Sequence, residues 1–267
     1  MKKRAICLLM TAVLLCMCTM PAMAAKNYGD LVSDILDSMS TNNSRCSGAP
    51  QQAANGAYRL VEMLAVIAME KDNGQHSDLI SNVLDDMSTN NARCSGAPQQ
   101  TANGTYRAVD MLAIIAMELD SKGTYTSLIT GVLDDLSSNN ARCTGAPQQS
   151  ANGLYRCADM LAIIAMELDS KGTYTSLITG VLDDLSSNNA RCTGAPQQEA
   201  NGAYRCVELL AIIAMETDTT GKYGDLISGV LDDMSSNNAR CSGAPQQLAN
   251  GLYRCVEMAA IIALINQ

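Results

Sequence analysis

Tryptophan and phenylalanine are absent from the 267-residue chain, histidine occurs once, and only 17% of residues are charged. One histidine cannot build a His-rich metal cluster or the two-histidine HExxH zinc motif. It also leaves few ways to assemble a Ser-His-Asp or Cys-His nucleophile, and no glycine-rich phosphate cradle occurs. With 18 Lys+Arg against 27 Asp+Glu, the chain lacks the positive excess that a phosphate-neutralising nucleic-acid binder needs. What it has in quantity is apolar residues, 47% of the total, enough to bury a core and to exclude wholesale disorder.

The N-terminus has the form of a secretory signal. Lys2, Lys3 and Arg4 precede an apolar run from Ala5 to Met17, and Ala22-Met23-Ala24 supplies a small-residue cleavage site. The run is too short for a membrane span. Cleavage after Ala24 is expected, making residues 1–24 the signal peptide and 25–267 the mature chain. It removes three basic residues and no acid, so the net charge moves from −9 to −12. Cys7, Cys16 and Cys18 leave with it, and eight cysteines remain in a secreted or periplasmic chain, where disulfides are permitted.

The mature chain is five copies of one unit, approximately 28–75, 76–124, 125–173, 174–222 and 223–267. The string Asn-Asn-x-Arg-Cys-(Ser/Thr)-Gly-Ala-Pro-Gln-Gln-x-Ala-Asn-Gly-x-Tyr-Arg starts at Asn42, Asn90, Asn139, Asn188 and Asn237. Its cysteine recurs at steps of 48, 49, 49 and 49, because one residue is missing before His76. Residues 110–149 recur letter for letter as 159–198, the mark of recent duplication, so the divergent repeats 1, 2 and 5 are the better guides.

Each unit reads as a helical hairpin. The first element has apolar residues at i, i+1, i+4, i+5 and i+8 (Leu79, Ile80, Val83, Leu84 and Met87 in repeat 2), one stripe with acids opposite. The second, from Tyr58 to about Glu70, is apolar nearly all round and is expected to be buried. Pro50 suits a first helical turn. Asn55-Gly56 then interrupts, and the expectation is a break, with Gly56 closing a short helix before a fresh start at Tyr58. No strand signal appears. The fold expected is all-α, a short α-solenoid (superhelical stack) of five hairpins, with repeat 5 either capping the array or meeting a partner. In outline this resembles tetratricopeptide or HEAT arrays, but the repeat length and the Trp-containing signature of the former are missing, so the resemblance stops at architecture.

Repeats 3 to 5 add a second cysteine 14 residues after the first. Disulfides Cys143–Cys157, Cys192–Cys206 and Cys241–Cys255 are therefore expected to staple these repeats, with the diagonal links Cys94–Cys157, Cys143–Cys206 and Cys192–Cys255 as the competing pattern. Cys46 and Cys94 are left over. Thiolate and thioether together suit Cu(I), but methionine at helical spacing reads as core filler, and no metal or cofactor is assigned.

All ten mature arginines fall in two columns. Arg59, Arg107, Arg156, Arg205 and Arg254 each have an acid three residues on, a local helical ion pair. Arg45, Arg93, Arg142, Arg191 and Arg240 have none and are the candidate ligand-binding residues, suited to carboxylate or phosphate groups. His76 stands in a tyrosine column (Tyr28, Tyr125, Tyr174, Tyr223) and reads as a packing substitute. The Asn and Gln pairs read as groups that satisfy loop backbone. No catalytic residue is assigned. The function expected is a secreted, non-catalytic binding scaffold for a protein or peptide partner, with oligomeric state open. The alternatives are a small-ligand or metal-binding protein using the Arg, Cys and Met columns, and a structural envelope component.

Overall fold

The computed structural model describes residues 28–72 and 74–266; the expected signal peptide lies outside them. Within them are ten helices: α1 Tyr28–Asn43, α2 Ala49–Lys71, α3 Ser77–Asn91, α4 Ala97–Leu119, α5 Thr126–Asn140, α6 Ala146–Leu168, α7 Thr175–Arg191, α8 Ala195–Thr217, α9 Gly224–Asn238 and α10 Ala244–Ile265. No strand occurs among the described residues. Odd-numbered helices are the short amphipathic elements, and even-numbered ones are the apolar helices of the five hairpins.

The long helices are continuous through the Asn-Gly pair, against the break expected from sequence. Both residues are used in packing. Asn103 Nδ2 donates to the Met87 carbonyl oxygen at 3.0 Å, tying α4 to the end of its partner α3. Gly104 faces α2 so closely that an added Cβ would lie 2.7 Å from Ala57 Cβ. The helix pays about 1 kcal/mol in propensity for this glycine and gains an inter-helix contact that no larger residue permits.

Those glycine contacts also give the direction of packing. Gly104 meets Ala57 and Tyr58, Gly153 meets Thr105 and Tyr106, Gly202 meets Leu154 and Tyr155, and Gly251 meets Ala203 and Tyr204. Matching positions on successive helices touch, so the long helices are parallel and in register. Gly56, in the first repeat, meets Leu252 and Tyr253 of the last. The array is therefore a closed ring, not the open superhelical stack expected. α10 packs on α2 as every other long helix packs on its predecessor, and α1 fills the groove between α10 and α2. Tyr253 donates to Asn43 Oδ1 at 2.7 Å across the closure, repeating the bonds Tyr58–Asn91, Tyr106–Asn140, Tyr155–Asn189 and Tyr204–Asn238. Repeat 5 is neither cap nor free end. It abuts repeat 1.

The inner barrel has its own axial core. On each long helix the glycine faces the preceding helix, the tyrosine reaches the following repeat, and the asparagine and arginine reach the short helix of the same hairpin. The remaining side, at positions 53, 57, 60, 64 and 67 of α2, faces the ring axis and is buried. One such layer is Leu60, Ala108, Cys157, Cys206 and Cys255; another is Ala53, Thr101, Ser150, Glu199 and Leu248, all buried.

The expected disulfides do not form: all eight described cysteines are free. The unbroken helix is the reason. Cys143 precedes α6, whereas Cys157 is its twelfth residue, carried about 16 Å along the helix at 1.5 Å per residue. That is far outside bridging range. The diagonal pairings fail likewise, because loop cysteines sit at one end of the ring and the second cysteines lie on its axis. Cys143 Sγ donates to the Asn139 carbonyl oxygen at 3.3 Å, and Cys157 Sγ to that of Thr105 at 3.6 Å. The axial thiols are completely buried. That of Cys157 is held well above its ordinary pKa by a hydrogen bond with Cys206 and by burial, that of Cys255 chiefly by burial.

Candidate functional site: the arginine face

The five loops joining short to long helices lie at one end of the ring, where the parallel inner helices start. Each loop is built the same way. The outer helix ends at an Asn-Asn pair, whose first residue accepts the cysteine thiol, as in Cys46 Sγ to Asn42 O at 3.2 Å. After Ser/Thr-Gly the inner helix begins at alanine, with proline in its first turn, where a missing N–H costs nothing. The first glutamine reaches back to accept the backbone N–H of the residue before the N-cap glycine: Ser47 N to Gln51 Oε1 is 2.7 Å, and the other four repeats match. The glutamine thus closes the turn that leads into the helix, one residue before the N-cap glycine.

The second Asn and second Gln serve the joint between repeats. Asn91 Oδ1 accepts from Tyr58 at 2.7 Å and from Gln100 Nε2 at 3.0 Å, which joins repeat 1 to the loop of repeat 2. Burial raises the pKa of these phenols, to about 12 for Tyr106, Tyr155, Tyr204 and Tyr253. They remain neutral donors throughout the physiological range. The amide columns thus satisfy loop backbone, as expected from sequence, and carry the inter-repeat bond as well.

What these fixed loops leave outward is arginine. Arg45, Arg93, Arg142, Arg191 and Arg240 are all exposed, one per loop, and among the described residues none forms an ion pair with a carboxylate. The loop segments 40–52, 88–100, 137–149, 186–198 and 235–247 contain these five arginines, no lysine and no acid. In a chain of net charge −9, the only charge within these five loop segments is positive. The structure therefore gathers the five candidate ligand residues onto one face, a convergence that the 49-residue spacing alone does not reveal.

The other arginine column is occupied. Arg107 Nη1 lies 3.0 Å from Asp110 and 3.3 Å from Asp86, clamping α4 to α3, and Arg156, Arg205 and Arg254 repeat the clamp. In repeat 1 Ser38 replaces the outer aspartate, and Arg59 pairs with Glu62 alone at 2.6 Å. Burial raises the carboxyl pKa of Glu62, Asp110, Asp159, Glu208 and Glu257, while the neighbouring guanidinium pulls each part of the way back. These arginines hold hairpins together. The methionine column behaves as core filler where Met63, Met111 and Met160 are fully buried.

Sequence reasoning passed over one further group. At the junction of repeats 1 and 2, donor atoms of Asp72, His76 and Glu118 all lie within 4.8 Å of one another. The signal was present in the missing residue and in the single histidine. Among the described residues one helix, Ala244–Ile265, is long and apolar enough to cross a membrane, and 67% of that apolar window is buried within the ring. No protein-family model, curated protein or solved structure matches the chain.

Proposed function

We propose that this protein is an exported, non-catalytic docking ring that engages the acidic segment of a protein or peptide partner through the arginine face. The observation that carries the proposal is the set of five acid-free loops at one end of the ring, each presenting an exposed arginine from a hydrogen-bonded cap. Five like loops held by the same bonds fix the backbone from which each arginine projects, which spares the loop-ordering cost of binding. Exposed charge pairs are individually weak, and their strength here is additive and kinetic: five sites on one face steer an anionic chain and retain it by several contacts. Every polar feature occurs about five times, which suits repeated contact and not a unique catalytic constellation.

The test uses the mature chain and a synthetic oligoglutamate peptide. Binding should be measurable at low ionic strength and fall steeply as salt rises. Arg→Gln at positions 45, 93, 142, 191 and 240 together should remove it. Arg107→Gln, in the structural column, should cost stability and leave binding unchanged. An equal affinity of the five-fold variant and the parent would sink the proposal.

A further inference from the structure

In four repeats a tyrosine stands at the start of the short helix, and in repeats 1 and 5 its hydroxyl bonds to the end of the long helix of the same repeat. Tyr28 donates to the Met69 carbonyl oxygen at 3.3 Å and Tyr223 to that of Leu264 at 3.2 Å. In repeat 2 that tyrosine is His76, and the loop before it is one residue shorter. The two changes occur together and alter one place. His76 Nδ1 contacts the carboxylate of Glu118 near the end of α4, and the Glu118 side chain is only 8% exposed. The shortened turn passes through Gly74, whose φ of 95° places it in the left-handed region. It brings Asp72 to the same point.

Asp72 Oδ1 accepts the backbone N–H of Gly74 and of His76, each at 2.9 Å, and Oδ2 accepts the Ser77 hydroxyl at 2.5 Å. The Gln75 backbone N–H adds a further bond, so a ligand at this carboxylate shares its oxygens with the turn they organise. Equivalent aspartates Asp120, Asp169 and Asp218 cap their helices in the same manner but have a tyrosine where Asp72 has His76.

We infer that Asp72, His76 and Glu118 form a binding site for one divalent transition-metal ion at the junction of repeats 1 and 2. An imidazole with two carboxylates selects zinc, cobalt or another borderline cation over calcium or magnesium, which prefer larger all-oxygen shells. The three donors supply one nitrogen and two oxygens, and a water completes a tetrahedral ion. Ligand atoms on such an ion stand about 3.3 Å apart, given metal–ligand bonds near 2.0 Å. The donor atoms already lie within 4.8 Å of one another, and an ion entering between His76 and Glu118 would replace their direct contact. One dication against two carboxylates leaves the site neutral. It links the loop from α2, the start of α3 and the end of α4, and so ties the repeat 1–2 junction.

Cobalt(II) is the probe, since its spectrum distinguishes nitrogen and oxygen donors from the protein's own thiols. The metal-stripped mature chain should take up one equivalent of Co2+ with d–d bands and no thiolate charge-transfer band. Zinc should displace it and raise the melting temperature by mass action. His76→Tyr, which restores the residue of the other repeats, should fold normally and lose that equivalent. Glu118→Gln should weaken binding by about tenfold or more, and it decides the matter if the tyrosine variant fails to fold. Absence of a stoichiometric equivalent, a thiolate band, or unchanged binding by the variants would each overturn the assignment.

Discussion

Glu199 shows how one residue sets a solution property in a molecule of near-identical parts. It lies in the axial layer with Ala53, Thr101, Ser150 and Leu248, and 7% of it is exposed. Burial raises its carboxyl pKa to about 7, partly offset by the Ser150 hydroxyl. The folded protein thus holds this proton at pH values where the unfolded chain, with an ordinary glutamate near 4.3, has released it. The associated stability is fully present below about pH 4 and is lost as pH rises through about 7, a change of roughly 3 kcal/mol from this group. The buried carboxylates of the arginine clamps shift in the same direction. Denaturant melts from pH 4 to 8 should therefore show the parent weakening as pH rises. Glu199→Leu, the residue that repeat 5 carries at this place, should weaken much less. Parallel curves for the two proteins would refute the assignment.

At the scale of the element, the helices were legible from their apolar periodicity, and their continuity was not. Asn-Gly is a strong local breaker, and nothing in one repeat shows that its glycine touches another helix. The disulfides expected from the 14-residue spacing needed that break, because a bent helix would return the second cysteine to the loop whereas a straight one carries it to the axis. Part of the difference between repeats lies on the axis: the layers Leu60, Ala108, Cys157, Cys206, Cys255 and Ala53, Thr101, Ser150, Glu199, Leu248 are mixed, whereas the layer Ile67, Ile115, Ile164, Ile213, Ile262 is uniform, as are the Asn, Tyr and Arg columns. Two Gly→Ala changes separate packing from propensity. At Gly153 a new Cβ would lie 2.5 Å from Thr105 Oγ1 and 2.9 Å from a Tyr106 ring carbon. Gly153→Ala should destabilise by about 1–3 kcal/mol through overpacking. At Gly180, in the exposed middle of α7, nothing lies within 4 Å. Gly180→Ala should stabilise by about 1 kcal/mol through propensity alone. Chemical denaturation of both variants checks the sign at each site.

For the whole molecule, closure distinguishes this ring from a solenoid, and it was invisible in sequence because the contact between first and last repeats uses the same residues as every internal contact. An open array has two ends that can fray or be shortened one unit at a time. Here the Tyr253–Asn43 bond, the Gly56 contact with Leu252 and Tyr253, and the bond from Lys71 Nζ to Asn266 at 2.8 Å make the first and last repeats neighbours like any other pair. Two engineered chains follow from that geometry. A circular permutant joining residue 266 to residue 28 by a short glycine-serine linker and opening in the exposed turn at Lys171-Gly172 keeps every inter-repeat contact. It should melt cooperatively close to the parent. A chain ending before repeat 5 keeps four of the units but leaves the joining faces of α2 and α8 bare, since four repeats spaced for five-fold closure cannot meet. That chain should lose the parent's single sharp transition and associate through the bared faces, seen as a higher mass in light scattering. An open solenoid gives the opposite pair: the four-repeat chain stays monomeric with modestly lower stability, and the permutant, its core cut at an internal joint, is the one that fails.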